Sequence, residues 1–202
     1  MITGFNGVCI SERNDKMGEI SSFSTMPVRT CREDAPCFKD CYANRMVNGF
    51  RQNVKPSWER NTEMVEHGRF DEIREDIIAY IRFRRCGLFR WFVGGDIYSE
   101  EMLDTMIVVA EECPDTRFMC FTKKYWLIEN KELPKNLNMV LSAWKDMQPS
   151  EELKKRFPVC YMDDGTPDCN VPDDALSCGG HCIDCQLCFG LRPGSSVKIG
   201  KH

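Results

Sequence analysis

The sequence has no long hydrophobic run. Its apolar stretches last only a few residues, far short of the roughly 20 that a membrane-spanning helix needs. The opening MITGFNGVCISERNDK has no basic segment followed by an apolar one, so no secretory leader is expected and the chain is expected to be cytoplasmic, with no membrane partner. Positive charge is not in excess: 27 Lys and Arg face 31 Asp and Glu, a net charge of −4. A general electrostatic field for nucleic acid is thereby excluded; the local patch of Arg82, Arg84, Arg85 and Arg90, at a helix C-terminus, reads first as complementing the helix dipole and second as a nucleic-acid contact. No internal repeat or low-complexity tract is present, and no Ser-His-Asp set, phosphate-binding loop or zinc-protease helix. Hydrophobic residues at 42% and charged residues at 29% exclude a disordered or collagen-like chain.

Cysteine is the residue present in excess, at 13 copies. An odd number cannot all pair, and a cytoplasmic setting keeps thiols reduced. A reduced chain with so many thiols commonly uses them on metal. Their placement is uneven. Cys31, Cys37 and Cys41 form one group, and Cys160, Cys169, Cys178, Cys182, Cys185 and Cys188 another. Cys9, Cys86, Cys113 and Cys120 are scattered and read as small buried hydrophobes.

The pattern between these groups is that of an α/β chain. Strands are predicted at 18–25, 88–93, 116–121, 138–143 and 158–162, and helices at 42–49, 57–85, from Ser99 to Cys113, 122–130 and from Ser150 to before Pro158. Phe70, Ile73, Ile77 and Ile81 recur at helical spacing in the long segment. Met102, Met106, Val109 and Ala110 make the buried stripe of the next. Strands alternating with helical crossovers predict parallel pairing. At most five or six strands are expected. Because a complete eight-fold barrel takes about 250 residues and at least about 200, the expected fold is an incomplete (β/α) barrel over 1–156, with an open doubly wound sheet as the alternative. A cysteine-rich metal-binding segment is expected over 157–202.

Parallel α/β folds gather the loops at the carboxyl ends of their strands on one face. That face is expected to hold the Cys31–Cys41 loop, Gly94-Gly95-Asp96, Thr122-Lys123-Lys124, Trp144-Lys145-Asp146 and Asp163-Asp164. Lys123 and Lys124 could hold an anion there, and Ser142 and Trp144 could line a cleft; solvated lysines and a packed tryptophan are the alternatives.

The loop reads Thr30-Cys31, then Cys37, then Cys41-Tyr42-Ala43, a C-x5-C-x3-C spacing. Three thiolates suit a centre with one position open, either zinc with a free fourth site or an iron–sulfur cluster with one free iron. Buried thiols or a closed zinc knuckle are the alternatives. At Gly94-Gly95-Asp96 the glycines would let a ligand approach the backbone, and the carboxylate could pair with an ammonium. An ordinary turn with Asp96 helping to cap a helix is the other reading.

A cysteine trio before the first helix, then a strand ending in Gly-Gly-acid, resembles the radical SAM enzymes. Those enzymes usually space the trio C-x3-C-x2-C with an aromatic before the last cysteine. Here the gaps are longer and Tyr42 follows the last cysteine. The resemblance implies a 4Fe–4S cluster on Cys31, Cys37 and Cys41, with S-adenosylmethionine on the open iron. Gly94, Gly95 and Asp96, where that family has a glutamate, would hold the methionine amino end. An external electron donor and an unidentified substrate are implied as partners. A second resemblance covers roughly residues 18–190. The phage gene product 88 family is similar in its T-C…C…C-Y-A loop, its acidic glycine strand end, its Phe-Thr-Lys segment (here Phe121-Thr122-Lys123) and its cysteine-rich tail.

The tail reads Cys178-Gly-Gly-His181-Cys182-Ile-Asp-Cys185-Gln-Leu-Cys188. Two-residue gaps suit both the first part of a ferredoxin run and zinc. Cys160 and Cys178 are the first candidates for a fourth ligand, with Cys169 and His181 behind them. From Phe157 to Leu191 there are six aspartates and no lysine or arginine, which favours a cationic centre. With few core residues of its own, this segment would take much of its folding energy from metal. No catalytic residue is assigned. The alternative function is a non-catalytic, zinc-stabilised phage protein that binds a host or phage macromolecule.

Overall fold

The computed structural model describes residues 2–200. Met1, Lys201 and His202, the outer ends of the two expected regions, lie outside the described residues. A short β1 (Ile2–Thr3) pairs antiparallel with β2 (Cys9–Ser11), and β2 antiparallel with β3 (Ser21–Phe23). Next come helices α1 (Tyr42–Asn48), α2 (Lys55–Glu66) and α3 (Phe70–Arg84). The chain continues through β4 (Leu88–Trp91), α4 (Glu100–Glu112), β5 (Arg117–Thr122), the single turn α5 (Tyr125–Ile128), β6 (Leu137–Ala143), α6 (Glu151–Arg156) and β7 (Val159–Asp163). The tail adds β8 (Leu176–Ser177), a one-turn α7 (Cys182–Cys185) and β9 (Ser196–Gly200).

All nine strands form one sheet, ordered β1-β2-β3-β4-β5-β6-β7-β9-β8. From β3 to β8 every neighbour is parallel. The sheet is thus larger than the five or six strands expected. β1, β2 and β8 are too short to show a period, and β9 carries only Val197 and Ile199 as alternating apolar residues.

The five expected strands correspond to β3 through β7. The long helix expected over 57–85 is two helices. The break falls at His67-Gly68-Arg69, where Gly68 takes φ +67°, a conformation that costs glycine little and ends a helix. Of the helix expected over 122–130, only the turn Tyr125–Ile128 forms; Thr122 Oγ1 donates to Asp96 at 2.7 Å and accepts from the Lys124 amide at 3.0 Å. Ser99 and Ser150 do cap α4 and α6, accepting from the Met102 and Leu153 amides.

Strand side chains alternate between two environments. Phe89, Trp91, Phe118, Leu141 and Tyr161 point to the helices and join Ile73, Ile77, Met102 and Met106 in the main core. Sequential parallel strands with right-handed crossovers put all their helices on one face. The opposite face carries Met119, Phe121, Val140 and Cys160, and the tail covers it. Phe189 packs with Met17, Ile20 and Met119, and Leu191 with Val140, Cys160 and Val197. Asn61, fully buried on α2, ties that helix to the sheet. Its amide accepts from Cys9 N and donates to the Cys9 and Ser24 carbonyls, each at 2.8 Å.

Candidate functional site

A cleft of about 560 Å³ opens on the tail-covered face of the sheet, at the carboxyl ends of the strands. Cys31, Cys37 and Cys41 line it from the loop after β3, and Gly94 and Gly95 from the end of β4. Cys160 on β7 and Cys178, Cys182 and Cys188 of the tail line it as well. The two cysteine groups, more than a hundred residues apart in sequence, therefore share one cavity.

The loop is held by the strand ends around it. Thr25 and Thr30 share a hydroxyl hydrogen bond at 2.9 Å, and Thr30 Oγ1 also accepts from the Asp96 amide at 3.2 Å. Arg32 donates to the Lys123 carbonyl at 2.9 Å and lies over the Trp126 ring. Two residues beside the site have left-handed backbones, Val28 at φ +73° and Phe92 at φ +55°. Such conformations persist only where surrounding contacts fix them, and they cluster at binding sites. A hydrogen bond from the Val28 backbone favours the Cys31 thiolate, but burial, followed by the nearby Asp96 charge, outweighs it and pushes the Cys31 thiol up to about 11.

The two glycines answer to protein neighbours. A Cβ on Gly94 would stand 2.3 Å from the Trp58 ring, and one on Gly95 would stand 2.0 Å from Thr25 Oγ1. Close packing of α2 and the loop thus requires glycine here, whatever else the turn does. Asp96 is 5% exposed. Its Oδ1 accepts from the Ile97 amide at 2.8 Å and from Thr122 Oγ1, and its Oδ2 from the Lys123 amide at 3.0 Å. The carboxylate locks the end of β4 to the end of β5. With about four lone-pair positions, it keeps room for a further donor, and it lines a smaller recess beside Cys31 and Cys37.

Lys123 and Trp144 line the cleft, the ammonium 5.6 Å from the indole centroid. Lys124 turns away to the Tyr98 carbonyl at 3.2 Å, and burial lowers its pKa. Asp164 is engaged elsewhere: it accepts from Cys169 Sγ and from Thr166, and this holds its carboxyl well below the usual range. Of the expected basic patch, Arg82 pairs with Glu112 and Arg84 with Glu12, while Arg90 points into the cleft. Arg90 is the residue that sequence reasoning misplaced. The alternation of β4, with Phe89 and Trp91 in the main core, is the signal that would have put it on the opposite face.

Cys178, Cys182, Cys185 and Cys188 also enclose a small void of about 20 Å³, together with His181. That is room for about one water-sized body. Cys160 lines the large cleft but not this void, and Cys169 lines neither. Among the described residues, no three His, Cys, Asp or Glu side chains are gathered closely enough to hold a metal ion. The expected metal-binding tail is accordingly a set of thiols around a void, and the metal itself belongs to the proposal below. The residue types are those of soft-metal ligands, sulfur donors in two groups on one cavity, although their side chains are not drawn together into a coordinating set. Cys9, Cys113 and Cys120 are buried free thiols as expected, whereas Cys86 is only partly buried.

Over residues 9–189 the chain matches the family described as Gene product 88. The chain belongs to the gene product 88 family. The matched span takes in the Cys31 loop, the Gly94-Gly95-Asp96 turn and the tail through Cys188, so both walls of the cleft lie within the gene product 88 region. No curated protein and no solved structure matches the chain. Among the described residues, no helix of this gene product 88 member is long and apolar enough to cross a membrane.

Proposed function

We propose that this protein is an iron–sulfur enzyme of radical SAM type, built on an incomplete (β/α) barrel, that acts on an unidentified substrate in the cleft. One observation carries the reading: three loop thiols, the Gly94-Gly95 turn and the tail thiols line a single cavity at the carboxyl ends of parallel strands. Cavities of this size and position are where parallel α/β enzymes bind small molecules. The sequential strand order, with all helices on one face, supports the barrel.

Cys31, Cys37 and Cys41 would hold a 4Fe–4S cluster with one iron open to S-adenosylmethionine. Reduced by an external donor, such a cluster would supply the electron for cleaving the sulfonium carbon–sulfur bond, giving methionine and the carbon radical that takes hydrogen from substrate. The chain's own residues do the rest. Gly94, Gly95 and the Asp96 carboxylate would orient the methionine ammonium beside Cys31. Trp144, Phe121 and the tail wall line the cavity and would shield a bound substrate from water. Cys178, Cys182, Cys185 and Cys188 would hold a second metal centre that fixes that wall.

The second reading is a non-catalytic binding protein with zinc in the tail. It is favoured by the tail run of Cys178, Cys182, Cys185 and Cys188, which lines one small recess.

Protein purified without oxygen decides between the two. On the first reading it is brown, contains acid-labile sulfide and, after reduction, releases 5′-deoxyadenosine from S-adenosylmethionine. Cys37→Ala then loses the loop centre and all 5′-deoxyadenosine release while keeping the tail metal. A fully loaded protein that releases none removes the radical reading. A colourless, sulfide-free protein containing zinc establishes the second.

A further inference from the structure

The walls of the large cleft are unevenly charged. Lys16, Arg45, Arg90 and Lys123 line it, and Asp40 is the one carboxylate among the residues around it. Among the described residues, no carboxylate lies within ion-pair distance of any of these four cations, whereas Arg32, Arg51, Arg82 and Arg84, outside the cleft, each have one. Asp96 lines only the adjoining recess. Arg90 stands in the middle of β4, in register with Met119 of β5. Because Phe89 and Trp91 face the helices, its side chain turns to the cleft face. There Nη1 stands 3.4 Å from the Met17 sulfur, the guanidinium lies 5.3 Å from the Phe121 ring centroid, and the buried Nε has no hydrogen-bond partner. These contacts hold the planar group in place and leave most of its five donors unused. Lys123 follows the end of β5, its ammonium 5.6 Å from the Trp144 ring centroid.

Cations of one sign on a concave wall focus the potential inside it and draw in anions. Arginine's fork matches a carboxylate or phosphate with two parallel hydrogen bonds. The sheet floor beside it is apolar, with Met119, Phe121, Met162 and Val197, and an apolar pocket with a few polar anchors is the usual form of a small-molecule site. We propose that the cleft binds a small organic anion, with its carboxylate or phosphate on Arg90 and Lys123 and its apolar body on the sheet floor. The proposal names the substrate class for the function above and rests on that reading's use of the cleft as the substrate site; anion binding itself needs no metal.

The test uses full-length protein isolated without oxygen and measures binding by titration calorimetry. Phenyl phosphate and phenylacetate are the anionic probes, and benzyl alcohol is the neutral probe of similar size. At least one anion is expected to bind about 10-fold or more tighter than benzyl alcohol, and the better of the two tells phosphate from carboxylate. Arg90→Met is expected to weaken that anion about 10–100-fold and Lys123→Met about 3-fold. Lys155→Gln, at an exposed position of α6, is expected to leave it unchanged. Anions that bind no tighter than benzyl alcohol overturn the proposal, as does wild-type affinity in Arg90→Met. If Arg90→Met does not fold, Lys123→Met decides, and wild-type affinity there overturns it. Competition from S-adenosylmethionine overturns it as well, because the two cations would then serve that molecule's own carboxylate. Selective anion binding without 5′-deoxyadenosine release sinks the radical reading and leaves the anion site standing; release without anion selectivity sinks the anion site alone.

Discussion

Gly95 has φ +86° and a Cβ position already filled by Thr25 Oγ1. Gly95→Ala therefore combines backbone strain with a collision against a buried hydroxyl pair. It is expected to cost about 2 kcal/mol or more, read as a lowered urea midpoint, and to loosen the Cys31 loop that the same threonines hold. The cysteines themselves were legible as chemistry because their spacing is a local property of the chain. Asp96 was legible as a site residue, but its three hydrogen bonds to Ile97, Thr122 and Lys123 were not, since two of those partners come from another strand. Arg90 shows the same limit more sharply. Sequence proximity grouped it with Arg82, Arg84 and Arg85, and the pleat of one strand separates it from them.

At the scale of elements, helix ends divide the expectations. Ser99 and Ser150 act within three residues of themselves, so their caps follow from the sequence. The end of α3 is different. Arg85 closes it in the left-handed conformation, φ +50° and ψ +48°, where glycine is usual, and its side chain is exposed. Arg85→Gly is expected to stabilise the protein by about 0.5–1 kcal/mol, seen as a higher melting temperature. The break between α2 and α3 was hidden by continuous helical spacing on either side of Gly68. The short tail strands were hidden because β8 and β9 form only by pairing with each other and with β7.

On the scale of the whole molecule, the tail is a wall of the cleft. Phe189 lies against Met17, Ile20 and Met119 across the sheet face. Phe189→Ala is expected to destabilise by about 3 kcal/mol, measured by urea unfolding, and to increase binding of a hydrophobic dye as the face beneath is uncovered. On the tail-metal reading, chelation is expected to act in the same direction, because a segment with so few core residues would be held by that centre as well as by its packing.

The sequence by itself determined what depends on neighbours along the chain: the parallel strand–helix alternation, two serine caps, two thiol-rich groups and the family they mark. Only the tertiary structure decided that thiols of both groups face one cavity, that the tail completes the sheet, and that Arg90 turns to the cleft face beside Met17 and Phe121. The physical reason is that spacing and periodicity are set within a few residues, whereas strand pairing and cavity walls join residues more than a hundred positions apart, whose contacts no local pattern encodes.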